Sequence, residues 1–220
     1  MTVCVAVMSC SDVMAQTMQE WRDSLAELNR QIAAKPYSSD LHLRKAAINL
    51  QLYQWEYAID EYTLVLGKEP QNLAALYYRA YANTNLRRYE LAKNDYLAFL
   101  AVTPYNMEAR LGLAHTYMKL KQNGEAMDEM NRLVEQFPDS SIVFAARAAL
   151  EKDLKAYDAA LYDWNQAIRL QPGNADYMIS KVDVLLLMGK KSEAKTVLDG
   201  MVSGGTPRGL LREWYDKCEK

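Results

Sequence analysis

The chain is poor in the residues that chemistry uses most often. Three cysteines and two histidines stand among 220 residues. Cys4 and Cys10 lie in an apolar leader and Cys218 near the C-terminus, a distribution that spells out no disulfide framework. His42 and His115 have no cysteine near them and read as packing or surface histidines, not as metal ligands. The nine glycines are scattered without a phosphate-cradling loop, and no nucleophile-and-base grouping appears. We therefore expect no enzyme, no catalytic residue, no metal, no cofactor and no small-molecule substrate. Charge of one sign is missing too: 26 Lys and Arg against 28 Asp and Glu leave a net charge of −2, with no run of like charges. Binding nucleic acid by counterion release needs a basic face, which this balance excludes. With half its residues apolar and a quarter charged, the chain has material for a fully buried interior.

The first residues, MTVCVAVMSC, form an apolar run of signal-peptide length, too short to span a bilayer as a mature helix. Val13-Met14-Ala15 then suits a signal peptidase and would leave Gln16 first in an exported, periplasmic or envelope-associated protein. No basic stretch precedes the run, so we expect it to belong to a longer leader. A second export reading takes Cys10, in Val-Met-Ser-Cys, as a degenerate lipobox. The chain would then attach to a membrane through acylated Cys10, as a structural subunit of an envelope assembly. The third reading is a frayed N-terminal segment of a cytoplasmic protein.

The six prolines carry the fold. They stand at 36, 70, 104, 138, 172 and 207, at intervals of 34 residues four times and then 35. A second ladder of the same period runs through Ala58, Ala92, Ala126, Ala160 and Ala194, and a third through Ala46, Ala80, Ala114, Ala148 and Val182. Three ladders in one period mean one supersecondary unit copied along the chain. Between prolines the apolar pattern is helical with a break in the middle: LAALYYRAYANTNL, a polar turn at Arg87-Arg88, then YELAKNDYLAFLAV before Thr103-Pro104. Each unit is a helix, a turn, a second helix and a proline that stops it. The alanines mark where antiparallel helices approach closely, since a larger side chain there would overpack the contact at roughly 1–3 kcal/mol.

These residues resemble the tetratricopeptide repeat family, whose unit has small residues at its eighth and twentieth positions and proline at its thirty-second. Repeats starting at Ser39, Leu73, Met107, Ser141 and Ala175 put every ladder residue on those positions. The seventeenth position holds an aromatic in Trp55, Tyr89 and Tyr157 and departs from it in Asn123 and Lys191, and the twenty-fourth is Tyr62, Tyr96, Met130, Trp164 and Leu198. The resemblance implies an all-α fold, a right-handed α-solenoid of helix-turn-helix repeats, and, with the leader, an exported bacterial protein. The expected divisions are a leader over 1–15, an N-terminal helix or half repeat over 16–38, five repeats over 39–72, 73–106, 107–140, 141–174 and 175–206, and a capping helix over 207–220. In the half repeat the helix reads from Met18 to Ala34. In the cap Leu210, Leu211 and Trp214 are expected on one side, closing the open end of the solenoid.

The seventh position is basic in Lys45, Arg79 and Arg147, and the twenty-third of the same repeats is acidic in Glu61, Asp95 and Asp163. We read these as inter-helix ion pairs that fix register, each worth under about 1 kcal/mol if exposed. Leu113 and Val197 break the pattern in the third and fifth repeats.

The resemblance also implies that the first helices line a concave groove. Its expected lining runs from Leu43, Ala47 and Leu50 through Ala74, Tyr77, Tyr81 and Thr84 to Glu108, Leu111, His115 and Met118, and on to Ile142, Asp176, Ile179, Asp183 and Leu186. Relatives that clamp an acidic C-terminus use Lys and Asn at the fifth and ninth positions and basic residues two repeats later. Leu43, Ala47, Glu108 and Gly112 stand there instead, so that clamp is not expected. What remains is a non-catalytic scaffold whose candidate ligand-binding residues are Leu43, Tyr77, Tyr81, Leu111, His115 and Met118. A peptide or partner protein would dock on their aromatic and aliphatic surface.

Overall fold

The computed structural model describes residues 10–219, with side chains from Thr17 onward. The expected leader, with Cys4, the acylated Cys10 and the Ala15 cleavage point, concerns residues 1–9 and the side chains of 10–16 and lies outside the described residues. Among the described residues every regular element is helical. In chain order they are α1 (Cys10–Ala34), α2 (Ser39–Gln51), α3 (Trp55–Lys68), α4 (Leu73–Asn85), α5 (Tyr89–Val102), α6 (Met107–Lys119), α7 (Asn123–Gln136), α8 (Ser141–Asp153), α9 (Tyr157–Leu170), α10 (Ala175–Leu187), α11 (Lys191–Ser203), a 3-10 turn Arg208–Leu211 and α12 (Arg212–Glu219). The fold is a succession of helix-turn-helix repeats with a C-terminal capping helix. The expectation that the first helix begins at Met18 is exceeded: α1 starts at Cys10, because nothing between Cys10 and Ala34 is a proline or glycine that would stop it.

Local chemistry sets each boundary. Ser38, Asn72, Asn106 and Asn174 accept a hydrogen bond from the backbone N–H three residues on, capping α2, α4, α6 and α10. Inside each repeat the chain turns at a left-handed residue in the fifteenth position: Tyr53, Arg87, Lys121, Lys155 and Gly189, with φ between 57° and 73°. Only the fifth is a glycine, the residue that takes this conformation without strain.

Both alanine ladders, from Ala46 to Val182 and from Ala58 to Ala194, are 0% exposed at every rung. The helices therefore meet where the side chains are smallest, as the spacing requires.

The chain forms two compact halves, Met1–Thr116 and Tyr117–Lys220. In the N-terminal half, Leu28 of α1 packs with Leu41, Ile48 and Leu52, flanked by Trp21 and Leu25. Tyr62 of α3 stacks on Tyr78 of α4, with centroids 6.2 Å apart and planes 17° from parallel. At the equivalent place one repeat later Tyr96 meets Gly112, where a Cβ would stand 2.5 Å from the ring carbon Cζ. Only glycine leaves room for that ring.

In the C-terminal half, Phe144, Ala148, Ala160 and Trp164 form one core cluster with Val184. A second cluster joins Val182, Leu185, Leu198 and Met201 to Leu211 and Tyr215 of the cap. Here the structure corrects the sequence reading. Leu210 is 71% exposed, while Tyr215, not assigned to the core, is 5% exposed. Residues 208–211 turn as a 3-10 helix, so the apolar phase shifts before α12 begins. Trp214 is half-buried as expected, and its indole donates to Asp183 at 2.9 Å.

Candidate functional site

All three expected ion pairs form. Lys45 Nζ stands 2.6 Å from Glu61, and Arg79 and Arg147 each bind their partner, Asp95 and Asp163, through two parallel hydrogen bonds. The carboxylates are buried, not surface groups, which raises the stake of each pair above the exposed value. Two further buried groups stand at the fourth position of their repeats: His42, expected as a packing or surface histidine, and Arg110, which the sequence did not single out. His42 lies against Glu61 through Nδ1, with Nε2 3.1 Å from the Pro36 carbonyl oxygen. Arg110 donates to the Pro104 carbonyl in the same way. These contacts tie each helix to its neighbouring elements. Among the described residues no group of three or more His, Cys, Asp and Glu is placed to hold a metal.

The expected groove residues divide into those the structure gathers and those it does not. On α4, Tyr77 is half-buried, its ring edge-on to Tyr78 at 5.2 Å and to Tyr96 at 6.0 Å, with Phe99 at 5.8 Å. Burial, followed by the charge of Glu108, pushes its hydroxyl above the usual phenol range. Tyr96 is raised further, by burial and then by Tyr77, and its hydroxyl is hydrogen-bonded to Thr84. Tyr77 and Thr84 thus converge on Tyr96, and the charge of Glu108 is felt at Tyr77.

Tyr81, one turn along α4, remains 44% exposed and rests edge-on against Trp55 at 5.9 Å. Trp55 in turn meets Tyr53 at 5.7 Å, and Tyr53 is 71% exposed. Tyr53 was not singled out in the sequence, and Trp55 only as a repeat marker. The signal available was the aromatic spacing Tyr53-Gln54-Trp55 at a turn, where one ring is carried outward.

Leu43 on α2 and Leu111 on α6 are half-buried, and His115 is exposed. Met118, three residues further along α6, belongs to the C-terminal half and is half-buried there. In that half the cap takes Asp183 out of the expected lining, because Trp214 occupies it. The lasting cluster is an aromatic wall of exposed and half-exposed rings, with hydroxyls and one carboxylate at its edge. Such a wall offers apolar contact area and hydrogen bonds.

Repeated two-helix units with buried alanine seams and an exposed aromatic wall define a helical repeat scaffold. Residues 86–150 match the model of the family described as Tetratricopeptide repeat. A tetratricopeptide repeat protein from Parabacteroides merdae superposes with a TM-score of 0.65 at 19% identity, covering 94% of this chain and 81% of that one. PilF of Pseudomonas aeruginosa gives 0.68 at 15% identity, covering 94% and 92%. YrrB, described as a TPR protein with an unusual peptide-binding site, gives 0.62 at 18%, covering 80% and 91%. No curated protein matches the chain in sequence. Residues 86–150 thus carry the tetratricopeptide repeat, and the described residues share the fold of the solved tetratricopeptide-repeat structures. Proteins of this kind are generally non-catalytic scaffolds that bind protein or peptide partners.

Proposed function

We propose that this protein is a non-catalytic scaffold that captures a peptide segment of a partner protein on the aromatic wall of its N-terminal half, with Tyr81 and Tyr77 at the centre. Leu43, Leu111 and His115 extend the contact. One observation carries the reading: Tyr81 stays 44% exposed while its ring is held by Trp55. A ring already fixed loses little entropy on binding, which is what makes aromatic anchors effective. The similarity to YrrB, whose description names a peptide-binding site, supports the same reading.

Panning a random peptide library displayed on phage against the full chain tests it. Selected peptides should lose about tenfold or more in affinity for Tyr81→Ala, an exposed change that leaves the helical circular dichroism intact. Peptides that bind Tyr81→Ala and Glu108→Gln as tightly as the parent place the contact elsewhere.

A further inference from the structure

Helix α1 carries, in phase, the residues of a second helix of the repeat. Trp21, Ser24, Glu27, Leu28 and Pro36 each stand one period before Trp55, Ala58, Glu61, Tyr62 and Pro70. In the complete repeat α2 covers that face: Ala58 is 0%, Glu61 8% and Tyr62 1% exposed, and Lys45 reaches Glu61 at 2.6 Å. On α1 the corresponding face is open at Ser24 and Glu27, while Leu28, 3% exposed, is already covered by Leu41, Ile48 and Leu52 of α2 and its C-terminal turn. Ser24 is exposed, and so is Glu27, with 52% of its side chain in solvent.

The open face has the shape of the helix that would cover it. In the first repeat, α2 packs on α3 and also touches α4. A helix in the same role one period earlier lies on α1 and touches α2. A cleft of about 610 Å³ opens there, lined by Ser24, Glu27 and Leu28 of α1 and by Arg44, Ala47 and Ile48 of α2. The residues that would take the seventh and eighth positions of such a helix are Ser11 and Asp12, and these are part of α1 itself.

Charge says what fits. Where this acidic position is matched, a base followed by alanine faces it: Lys45-Ala46, Arg79-Ala80 and Arg147-Ala148. Among the described residues Glu27 is held from its own helix, by exposed Arg30 at 2.9 Å and Gln31 at 3.0 Å. We propose that this cleft receives an amphipathic helix of a partner polypeptide. That helix sets a Lys or Arg on Glu27 and the following small residue over Ser24, completing the half repeat from outside. A second copy of this chain is not the occupant, because α2, α4 and α8, which carry the base-alanine pair, are each packed within their own repeats. Neither Tyr77 nor Tyr81 lines the cleft, so the inference stands apart from the peptide site above.

A fluorescein-labelled peptide with the sequence of α8, SIVFAARAALEKD, titrated with the full chain, tests the proposal by anisotropy. Saturable binding is expected. Glu27→Arg should weaken it about tenfold, and a peptide with Glu in place of its arginine should prefer the Glu27→Arg chain. Ser24→Trp, which fills the cleft from an exposed position, should abolish binding without changing circular dichroism, while Tyr81→Ala should leave it unchanged. Four outcomes overturn the proposal. These are no saturable binding, binding by the Ser24→Trp and Glu27→Arg chains as tight as the parent's, a dimer in sedimentation that Ser24→Trp dissolves, and binding that appears only after residues 1–9 are removed.

Discussion

Arg147 grips Asp163 through two parallel hydrogen bonds, Nε to Oδ2 at 2.6 Å and Nη2 to Oδ1 at 2.9 Å, and turns Nη1 onto Asn131 of the preceding repeat at 3.0 Å. Two periods earlier Arg79 does the same, with Asp95 at 2.8 and 2.7 Å and with Thr63 at 3.1 Å. One side chain thus fixes the register of two helices within a repeat and ties that repeat to its neighbour.

Removing the carboxylate takes the bidentate partner from the cation and leaves it Asn131 at 3.0 Å and Glu151 at 4.0 Å. Asp163 is 1% exposed, so Asp163→Ala should lower stability by about 3 kcal/mol, read as a shift of the urea midpoint. The isolated loss of the Asn131 contact, in Asn131→Ala, should cost under about 1 kcal/mol because that partner is exposed. Equal losses in the two variants would show that the bidentate pair is not what holds these helices.

Glu151 gives the C-terminal half a pH dependence. Burial, and then the charge of Asp163, push its carboxyl up from 4.5 to about 7, against the opposing pull of Arg147 with its Nε 4.0 Å away. Between these values the folded chain holds a proton that the unfolded chain has released, so stability falls as pH rises from about 4.5 to about 7 and the full cost is present above that. Glu151→Gln removes the titration. Its stability relative to the parent should rise across that interval and level off beyond it, in denaturant melts at pH 5, 6, 7 and 8. A difference that does not change with pH would contradict the assignment.

The seam between α5 and α6 depends on a missing side chain. Gly112→Ala puts a methyl 2.5 Å from the Tyr96 ring, which is itself only 3% exposed and has nowhere to move. A destabilisation of about 1–3 kcal/mol is expected by thermal melting. No loss would mean that the ring relaxes freely.

The turn within the fourth repeat stores a little strain. Lys155 is exposed at φ 62°, a conformation disfavoured for a side-chain-bearing residue. Lys155→Gly should stabilise the chain by about 0.5 kcal/mol, as the relief outweighs the added backbone freedom of the unfolded state. A loss of stability would mean that the lysine makes a compensating contact.

The repeat was legible because its chemistry is periodic. Alanine at a helix crossing, proline after a helix and an acid opposite a base each obey a local rule that spacing alone reveals. Lys45–Glu61, Arg79–Asp95 and Arg147–Asp163 could be paired by position before any coordinates existed. Features that break the period were not legible. Tyr215 replaces Leu210 in the core because a 3-10 turn of four residues rotates the apolar face, and no residue in RGLL announces that turn. Spacing put Tyr77 and Tyr81 on the same helix face, yet one is half-buried and the other open. The difference lies in which rings the neighbouring helices bring: Tyr96 and Phe99 cover Tyr77, whereas Trp55 only braces Tyr81. Burial of this kind is decided by partners distant in the chain, which a single-helix pattern does not contain.

The arginine clamps have an alternating rhythm. Arg79 and Arg147 reach back to Thr63 and Asn131, while His42 and Arg110 in the intervening repeats grasp proline carbonyls instead. The first and third modules are therefore wired differently from the second and fourth, and among these four an excision that keeps a matched joint removes two at once. Excising residues 73–140 would bring Arg147 to Thr63, a junction already in use. Excising a single module would set Leu113 beside that threonine and leave its hydroxyl without a guanidinium.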